Sequence, residues 1–145
     1  MLRALGPRLA EAYFVDNHWI DIKHGTETHT WLHKYNYDER PKNFSAEVSF
    51  RLRWSNVIYK ATLWIFEQFD DAKPDVVMID TGCGRGKVVC LWSCLPSIPK
   101  MIEKVGVEYN RTLGEICRSN LEKVGAQTAQ DIIGDSLTVN YDWGQ

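Results

Sequence analysis

The residues with the clearest chemistry form one short run in the middle of the chain. A carboxylate, Asp80, is followed by glycines at alternate positions, Gly82, Gly84 and Gly86. Glycine adopts backbone conformations that are closed to other residues, so such a loop can turn sharply and let a ligand lie against bare backbone. The run therefore predicts a ligand-binding loop with a negative charge at its entrance.

The spacing of the glycines disfavours two phosphate-binding loops. A dinucleotide-binding loop needs G-x-G-x-x-G, and its third glycine would fall at Lys87. A P-loop needs four residues between its glycines and then Lys-Ser/Thr, whereas Gly82 and Gly86 enclose three and Val88 follows Lys87. Because a carboxylate repels pyrophosphate and attracts ammonium, the pattern D-x-G-x-G-x-G favours a cationic ligand without phosphate.

The elements that must position this loop can be predicted on both sides of it. The apolar run Val76 to Ile79 is typical of a strand buried on both faces. Lys87 to Leu95 has helical character and ends before Pro96. Strand, glycine loop and helix together form the first half of a βαβ nucleotide-binding unit.

Two further strands are predicted downstream, Val105 to Tyr109 and Asp131 to Ile133. Between them the apolar periodicity of Arg111 to Val124 predicts a helix, with Asn110 as its cap and Gly125 as its stop. We therefore expect an α/β, Rossmann-like parallel sheet with flanking helices.

The N-terminal half is predicted to be mainly helical. Leu2 to Phe14 can form a helix interrupted near Pro7. Ser45 to Phe69 has an apolar stripe at helical spacing, and we expect Trp64 to pack in the core. Its start can be capped by Ser45 or Ser55. We place a boundary between an N-terminal helical and loop segment, 1–74, and a cofactor-binding half-domain, 75–145.

Three stretches match one family in order and spacing. Val77 to Gly86 resembles motif I of class I S-adenosylmethionine-dependent methyltransferases. Val105 to Asn110 resembles that family's second strand with its terminal acidic residue, and Ile132 to Ser136 resembles the third strand with its adenine-side acidic residue. The resemblance covers residues 75–136. It implies S-adenosylmethionine as the cofactor and does not identify the methyl acceptor.

The resemblance also implies roles for individual residues. Asp80 would hold the methionine ammonium, directly or through water, Glu108 the ribose hydroxyls, and Asp135 the adenine amino group. The implied cofactor-binding residues are Asp80, Thr81, Gly82, Cys83, Gly84, Gly86, Glu108, Tyr109, Asp135 and Ser136. No catalytic residue is identified.

An earlier segment, Ile20 to Thr28, resembles the stretch before motif I in some bacterial class I methyltransferases, although His24 and Glu27 depart from that pattern. The resemblance implies that the segment closes over the cofactor, with Thr26 and Thr28 as contacts. An ordinary ordered loop is the alternative.

In that family the first strand is central and pairs with the second and the fourth, so the resemblance implies the strand order third, second, first for this chain. The family's sheet continues beyond the third strand, and the residues that select the acceptor mostly follow the fourth. We therefore expect an incomplete methyltransferase fold that holds most of a cofactor site. The first strand, Val76 to Ile79, would then expose an apolar edge, which is an aggregation hazard. We expect a truncated form, or an edge covered by a second copy, by another partner or by residues 1–43.

Composition excludes several classes of protein. The net charge of −2 over 145 residues gives no broad nucleic-acid footprint. No apolar run approaches the ~20 residues of a membrane span. The four cysteines match no zinc spacing and the four histidines form no clear ligand set, so we expect no metal, reduced thiols and a cytoplasmic protein.

Three functions stay open at this stage. The first is a methyltransferase, or its cofactor-binding portion, acting on a protein, a nucleic acid or a small molecule. The second is a non-catalytic binding module with the same fold. A nicotinamide-dependent oxidoreductase is the third, disfavoured by the missing glycine at Lys87.

Overall fold

A computed structural model describes residues 6–29, 55–67, 76–96, 98 and 102–142, and the structural statements below concern these residues. The elements in chain order are α1 (Pro7–His24), α2 (Ser55–Glu67), β1 (Val77–Thr81), α3 (Lys87–Cys94), β2 (Glu103–Glu108), α4 (Arg111–Lys123) and β3 (Ala129–Ile133).

The three strands form one parallel sheet in the order β1-β2-β3. Asp80 of β1 lies opposite Gly106, and Glu108 of β2 lies opposite Ile133. Parallel strands place their carboxyl ends at one edge of the sheet, which is where ligands bind in open α/β folds. The predicted α/β Rossmann-like fold and the strand order third, second, first are both confirmed.

Helices from both halves of the chain contribute to one hydrophobic core. Its buried members are Ile20, Ile58, Cys83, Val89, Cys90, Leu91, Cys117 and Leu121. The central strand β2 is buried along most of its length, because it has a hydrogen-bonded neighbour on each side. This burial accounts for the apolar middle of the strand, Val105 to Val107, whereas the residues on either side of it are charged.

Helix α1 differs from the sequence prediction. It starts at Pro7, whose fixed φ and missing N–H suit the first helical turn, and it continues ten residues past Phe14 to His24. The prediction that this helix ends at Phe14 is wrong. The Nζ of Lys87 donates to the carbonyl of Asn17 at 3.2 Å, and the Sγ of Cys94 lies 3.7 Å from the Nε2 of His24. Both pairs are 70 positions apart, so α1 lies along α3 in the same direction.

Helix α2 packs through the side that carries Ile58 and Thr62. The indole Nε1 of Trp92 donates to the hydroxyl of Thr62 at 2.9 Å, which joins α2 to α3. Trp64 is 63% exposed, so its expected place in the core is wrong. Two residues after Thr62, it lies about 200° around the helix and faces away. The cap candidate Ser45 and the predicted helix ends beyond 55–67 lie outside the described residues.

Among the described residues β1 pairs only with β2, and Ile79 of β1 is 37% exposed. The prediction that this strand is buried on both faces is therefore wrong, and the prediction of an uncovered apolar edge stays a prediction. None of the helices in the part of the chain that the structure describes is both long enough and apolar enough to cross a membrane.

Candidate cofactor-binding site

The glycine loop is fastened to the carboxyl end of β2 by its own backbone. The amides of Gly82 and Cys83 both donate to the carbonyl of Val107, at 2.7 and 3.0 Å. The amide of Gly86 then donates to the carbonyl of Cys83 at 2.9 Å, which closes the turn before α3. These main-chain bonds place the loop over the end of the central strand.

Two glycines are required by close packing around the loop. Gly86 has a φ of 77°, and a Cβ there would collide with the Sγ of Cys117 on α4. A Cβ at Gly106 of β2 would lie 2.8 Å from the Sγ of Cys83. At Gly82, by contrast, a Cβ would meet nothing within 4 Å, so that part of the loop has open space beside it.

Glu108 ends β2 directly beside this loop. Its Oε2 accepts a hydrogen bond from the amide of Gly84 at 2.8 Å, and its Oε1 accepts from the amide of Asn110 at 2.8 Å. Each carboxylate oxygen has a second lone pair, so both can still accept from a ligand hydroxyl. Asn110 also caps α4 as predicted, because its Oδ1 accepts from the amide of Leu113 at 3.1 Å.

The end of β3 lies next to Glu108. The amide of Gly134 donates to the carbonyl of Glu108 at 2.9 Å. Asp135 forms a turn in which its Oδ1 accepts from the amide of Leu137 at 3.0 Å. Leu137 is 87% exposed. The backbone carbonyl of Ser136 accepts a hydrogen bond from the hydroxyl of Tyr141 at 2.7 Å. The turn therefore presents a carboxylate and an exposed apolar side chain at the sheet edge.

The positions of the remaining predicted residues follow from the ends of strands β1 and β2. Asp80 is half-buried at the end of β1, Thr81 is exposed, and Tyr109 is half-buried directly after Glu108. The structure thus gathers three predicted segments at one edge, namely the glycine loop with Asp80, the Glu108–Tyr109 pair and the Asp135–Ser136 turn. Their role in cofactor binding stays a prediction.

Thr26 and Thr28 do not present free hydroxyls to a ligand. Both hydroxyls and the amide of Thr28 donate to a single atom, the Oδ1 of Asp21, at distances of 2.6 to 2.8 Å. Both threonines are buried. Asp21 precedes them by five and seven positions, and Gly25, which ends α1 in a left-handed conformation, allows the chain to turn back. Asp21 therefore orders the turn, a role that the sequence analysis missed.

The thiols near the loop are protected. The hydrogen bond between Cys83 and Cys117, whose Sγ atoms are 3.9 Å apart, and burial raise the pKa of the Cys83 thiol well above its usual value. Burial also raises the pKa of Cys90. Because the thiolate is the nucleophilic form, these cysteines are unsuited to attack at neutral pH.

A second set of charged and polar side chains surrounds Lys87, the first residue of α3. Burial lowers the pKa of Lys87, against the opposing charges of Asp21 and Asp16. Burial, and after it the charges of Lys87 and His18, lowers the pKa of His29 from 6.5 to about 4. The rings of His18 and His29 lie 4.0 Å apart. No cluster of three or more metal-ligating side chains occurs in the described ranges, and His33 lies outside them.

The comparisons with known proteins concern the fold. No family model and no curated protein matches the sequence. A solved protein-L-isoaspartate O-methyltransferase matches with a TM-score of 0.52 and 16% identity over 93% of this chain and 45% of its own. The geranyl diphosphate C-methyltransferase of Streptomyces coelicolor, solved with S-adenosyl-L-homocysteine, matches with a TM-score of 0.48 and 13% identity over 95% of this chain and 51% of its own. The YcgJ protein of Bacillus subtilis matches with a TM-score of 0.43 and 16% identity over 57% of this chain and 33% of its own.

This chain therefore spans between a third and about half of the length of those structures. At such identities the likeness to the isoaspartate methyltransferase bears on the fold alone. The described chain has the Rossmann-like fold found in class I methyltransferases.

Proposed function

We propose that the chain binds S-adenosylmethionine at the carboxyl edge of its sheet and is a methyltransferase or the cofactor-binding portion of one. The observation that carries this proposal is the position of Glu108. Its carboxylate is hydrogen-bonded to the Gly84 amide, so a ligand resting on the glycine loop meets an acceptor for sugar hydroxyls.

The residues at this edge fit a cationic nucleoside. Asp80 and Glu108 place two carboxylates beside the loop, which suits an ammonium and a sulfonium and opposes a pyrophosphate. Within the part of the chain that the structure describes, the buried Nδ2 of Asn110 has no hydrogen-bond partner, so a donor next to Glu108 is available to a ligand or a water. The open side of Gly82 leaves space for the ligand, and the exposed Leu137 offers an apolar surface to a base.

The cofactor would supply an electrophilic methyl group on its sulfonium. The contribution of the protein is to fix the orientation of that group relative to an acceptor, which is where much of the rate enhancement of a two-substrate reaction arises. We propose no catalytic base, and the acceptor can be a protein, a nucleic acid or a small molecule. The half-buried and buried thiols, all free, lead us also to propose a reducing, cytoplasmic location.

Calorimetry tests this proposal directly. We expect S-adenosylmethionine and S-adenosylhomocysteine to bind, and a nicotinamide dinucleotide not to bind. Asp80→Asn should lower the affinity for S-adenosylmethionine about tenfold or more, because it removes a negative charge near the ligand. Asp142→Asn, at an exposed site, is the matched control. Binding of the dinucleotide in preference to the methyl donor would overturn the proposal.

A methyl-transfer assay distinguishes the enzyme from a non-catalytic module. Radiolabelled S-adenosylmethionine is incubated with a lysate and with fractions enriched in protein, nucleic acid or small molecules. Transfer to one fraction supports a methyltransferase and identifies the acceptor class. Binding with no transfer to any fraction supports a cofactor-binding portion or the non-catalytic module over an active enzyme, and the same assay on a longer protein that contains this chain separates those two.

A further inference from the structure

One buried amide joins the glycine loop to the N-terminal turn. Asn120 of α4 is fully buried. Its Oδ1 accepts from the amide of Glu27 at 2.9 Å, and its Nδ2 donates to the carbonyl of Arg85 at 3.0 Å. Those partners lie 93 and 35 positions away in the sequence. Arg85 stands between the loop glycines Gly84 and Gly86, so the contact reaches the loop itself.

The side chain of Arg85 closes this arrangement into a ring. Its Nη1 lies 3.4 Å from the carbonyl of Glu27 and 3.5 Å from the Glu27 Oε2. These contacts are long, and the Glu27 side chain is 62% exposed, so solvent weakens the ion pair. The bonds to Asn120 are shorter and buried, and losing one leaves a buried polar group without a partner. Asn120 is therefore the dominant connection in the ring.

The N-terminal side of the ring is itself held in place. The turn is ordered by Asp21, which accepts from Thr26 and Thr28. Helix α1 is joined to the first residue of α3 by the bond from Lys87 to Asn17. Asn120 therefore connects the loop to an ordered element rather than to a loose segment.

We infer that Asn120 is a positioning residue for the cofactor loop. By fixing the carbonyl of Arg85 it fixes the peptide between Arg85 and Gly86. This restrains the short loop two peptide units away, where the Gly84 amide is directed at Glu108. The inference rests on the proposed function, because it assigns Asn120 a part in the same site. It further implies that a ligand on the loop stabilises residues 25–28 through Asn120, although the hydroxyls of Thr26 and Thr28 are bound to Asp21.

Three variants test this role. Asn120→Asp keeps the acceptor for Glu27 but loses the donor to Arg85, and Asn120→Leu loses both at similar volume. Leu121→Ala is the matched control, because Leu121 is the next buried residue of α4 and contributes to the core. The measurements are the Kd of S-adenosylmethionine by calorimetry, the Tm, and hydrogen exchange of residues 25–28 and 82–86.

We expect both Asn120 variants to weaken binding about tenfold or more, whereas Leu121→Ala lowers the Tm with a Kd within about twofold of wild type. Bound S-adenosylmethionine should slow exchange at residues 25–28 in wild type and not in the Asn120 variants. An unchanged Kd in Asn120→Asp would overturn the inference. If Asn120→Leu does not fold, Asn120→Asp alone decides, since it keeps one of the two bonds.

Failure of the proposed function gives a different result. If wild-type protein binds neither S-adenosylmethionine nor its demethylated product, the proposed function fails. The positioning role is then decided by the ligand-free exchange of the Gly84 amide, which should be faster in Asn120→Asp than in wild type and in Leu121→Ala. Equal exchange in all three would overturn it.

Discussion

The Oε2 of Glu108 lies 2.8 Å from the backbone nitrogen of Gly84 and accepts its hydrogen bond. The two residues are 24 positions apart, and the bond joins the end of the central strand to the middle of the glycine loop. A side chain that would hold the ribose also holds the loop, so the loop is preformed before any ligand arrives. Preformed sites bind with a smaller loss of conformational entropy.

Removal of the Glu108 carboxylate should therefore affect both binding and stability. Glu108→Ala leaves the amides of Gly84 and Asn110 without their acceptors, at a cost of ~1–3 kcal/mol in the free energy of unfolding. We expect the affinity for S-adenosylmethionine to fall about tenfold or more. Glu103→Ala, at the opposite end of the same strand, should leave affinity unchanged. Calorimetry and denaturant titration provide the two measurements, and equal affinities in the two variants would contradict the prediction.

The fit between Gly106 and Cys83 can be tested by a change in size. Gly106→Ala places a methyl group 2.8 Å from the Sγ of Cys83 and should destabilise the protein by ~1–3 kcal/mol. Cys83→Ala removes that sulfur, so the double variant should regain most of the lost stability. Denaturant unfolding of the two single variants and the double variant forms a double-mutant cycle. Strictly additive losses would show that the two residues do not compete for the same space.

Stability should fall on acidification because of His29. Its pKa of about 4 in the folded protein lies below the ordinary value of 6.5, so the unfolded chain binds the proton more readily. The contribution is present above pH 6.5 and is lost as the pH falls towards 4. His29→Gln should flatten the dependence of Tm on pH in that window, and His24→Gln serves as the comparison. An unchanged slope in His29→Gln would contradict the assignment.

The four thiols should differ in reactivity. Cys83, Cys90 and Cys117 are buried, whereas Cys94 is half-buried. Burial raises the pKa of Cys94 as well, but the nearby Lys23 opposes the shift. Iodoacetamide under native conditions should therefore label Cys94 first, and Cys94→Ser should abolish the fast phase. Faster labelling of Cys83, read by mass spectrometry, would show that the loop opens to solvent.

The edge of β1 along which no described strand lies should promote self-association. We propose that a second copy covers this edge when no other strand does, because an exposed apolar strand is a template for pairing. Light scattering after gel filtration should show dimers or larger species, and Ile79→Lys should shift them towards monomers. Ile22→Lys, on the exposed side of α1, is the control. A monodisperse monomer of the wild-type chain would refute the proposal.

The strands and the glycine loop could be predicted because their signals are local, whereas the strand order was implied only by the family resemblance. Apolar runs of strand length, a carboxylate followed by alternating glycines, and the cap Asn110 each lie within a few residues of the structure they specify. The carboxyl-edge placement of Asp80, Glu108 and Asp135 then follows from parallel topology alone.

The residues that sequence reasoning missed act across long separations. The periodicity of residues 111–124 predicts the helix but gives no sign that Asn120 binds Glu27 and Arg85. The glycine at 106 matters only because Cys83 lies against it. The extension of α1 to His24 depends on packing along α3, since the helix has no strong amphipathic stripe of its own. The prediction that Trp64 packs in the core is wrong for a related reason, since periodicity does not say which side of a helix is covered.

Most of the bonds that seat the loop on β2 run between main-chain atoms, from Gly82 and Cys83 to Val107 and from Gly86 to Cys83. Such bonds survive nearly any exchange of side chains, provided that the few glycines persist. The same fold can thus be built from very different sequences, as the 16% identity between this chain and the solved isoaspartate O-methyltransferase illustrates. Mutational drift in this chain should accordingly be tolerated at most positions and be strongly restricted at Gly86 and Gly106.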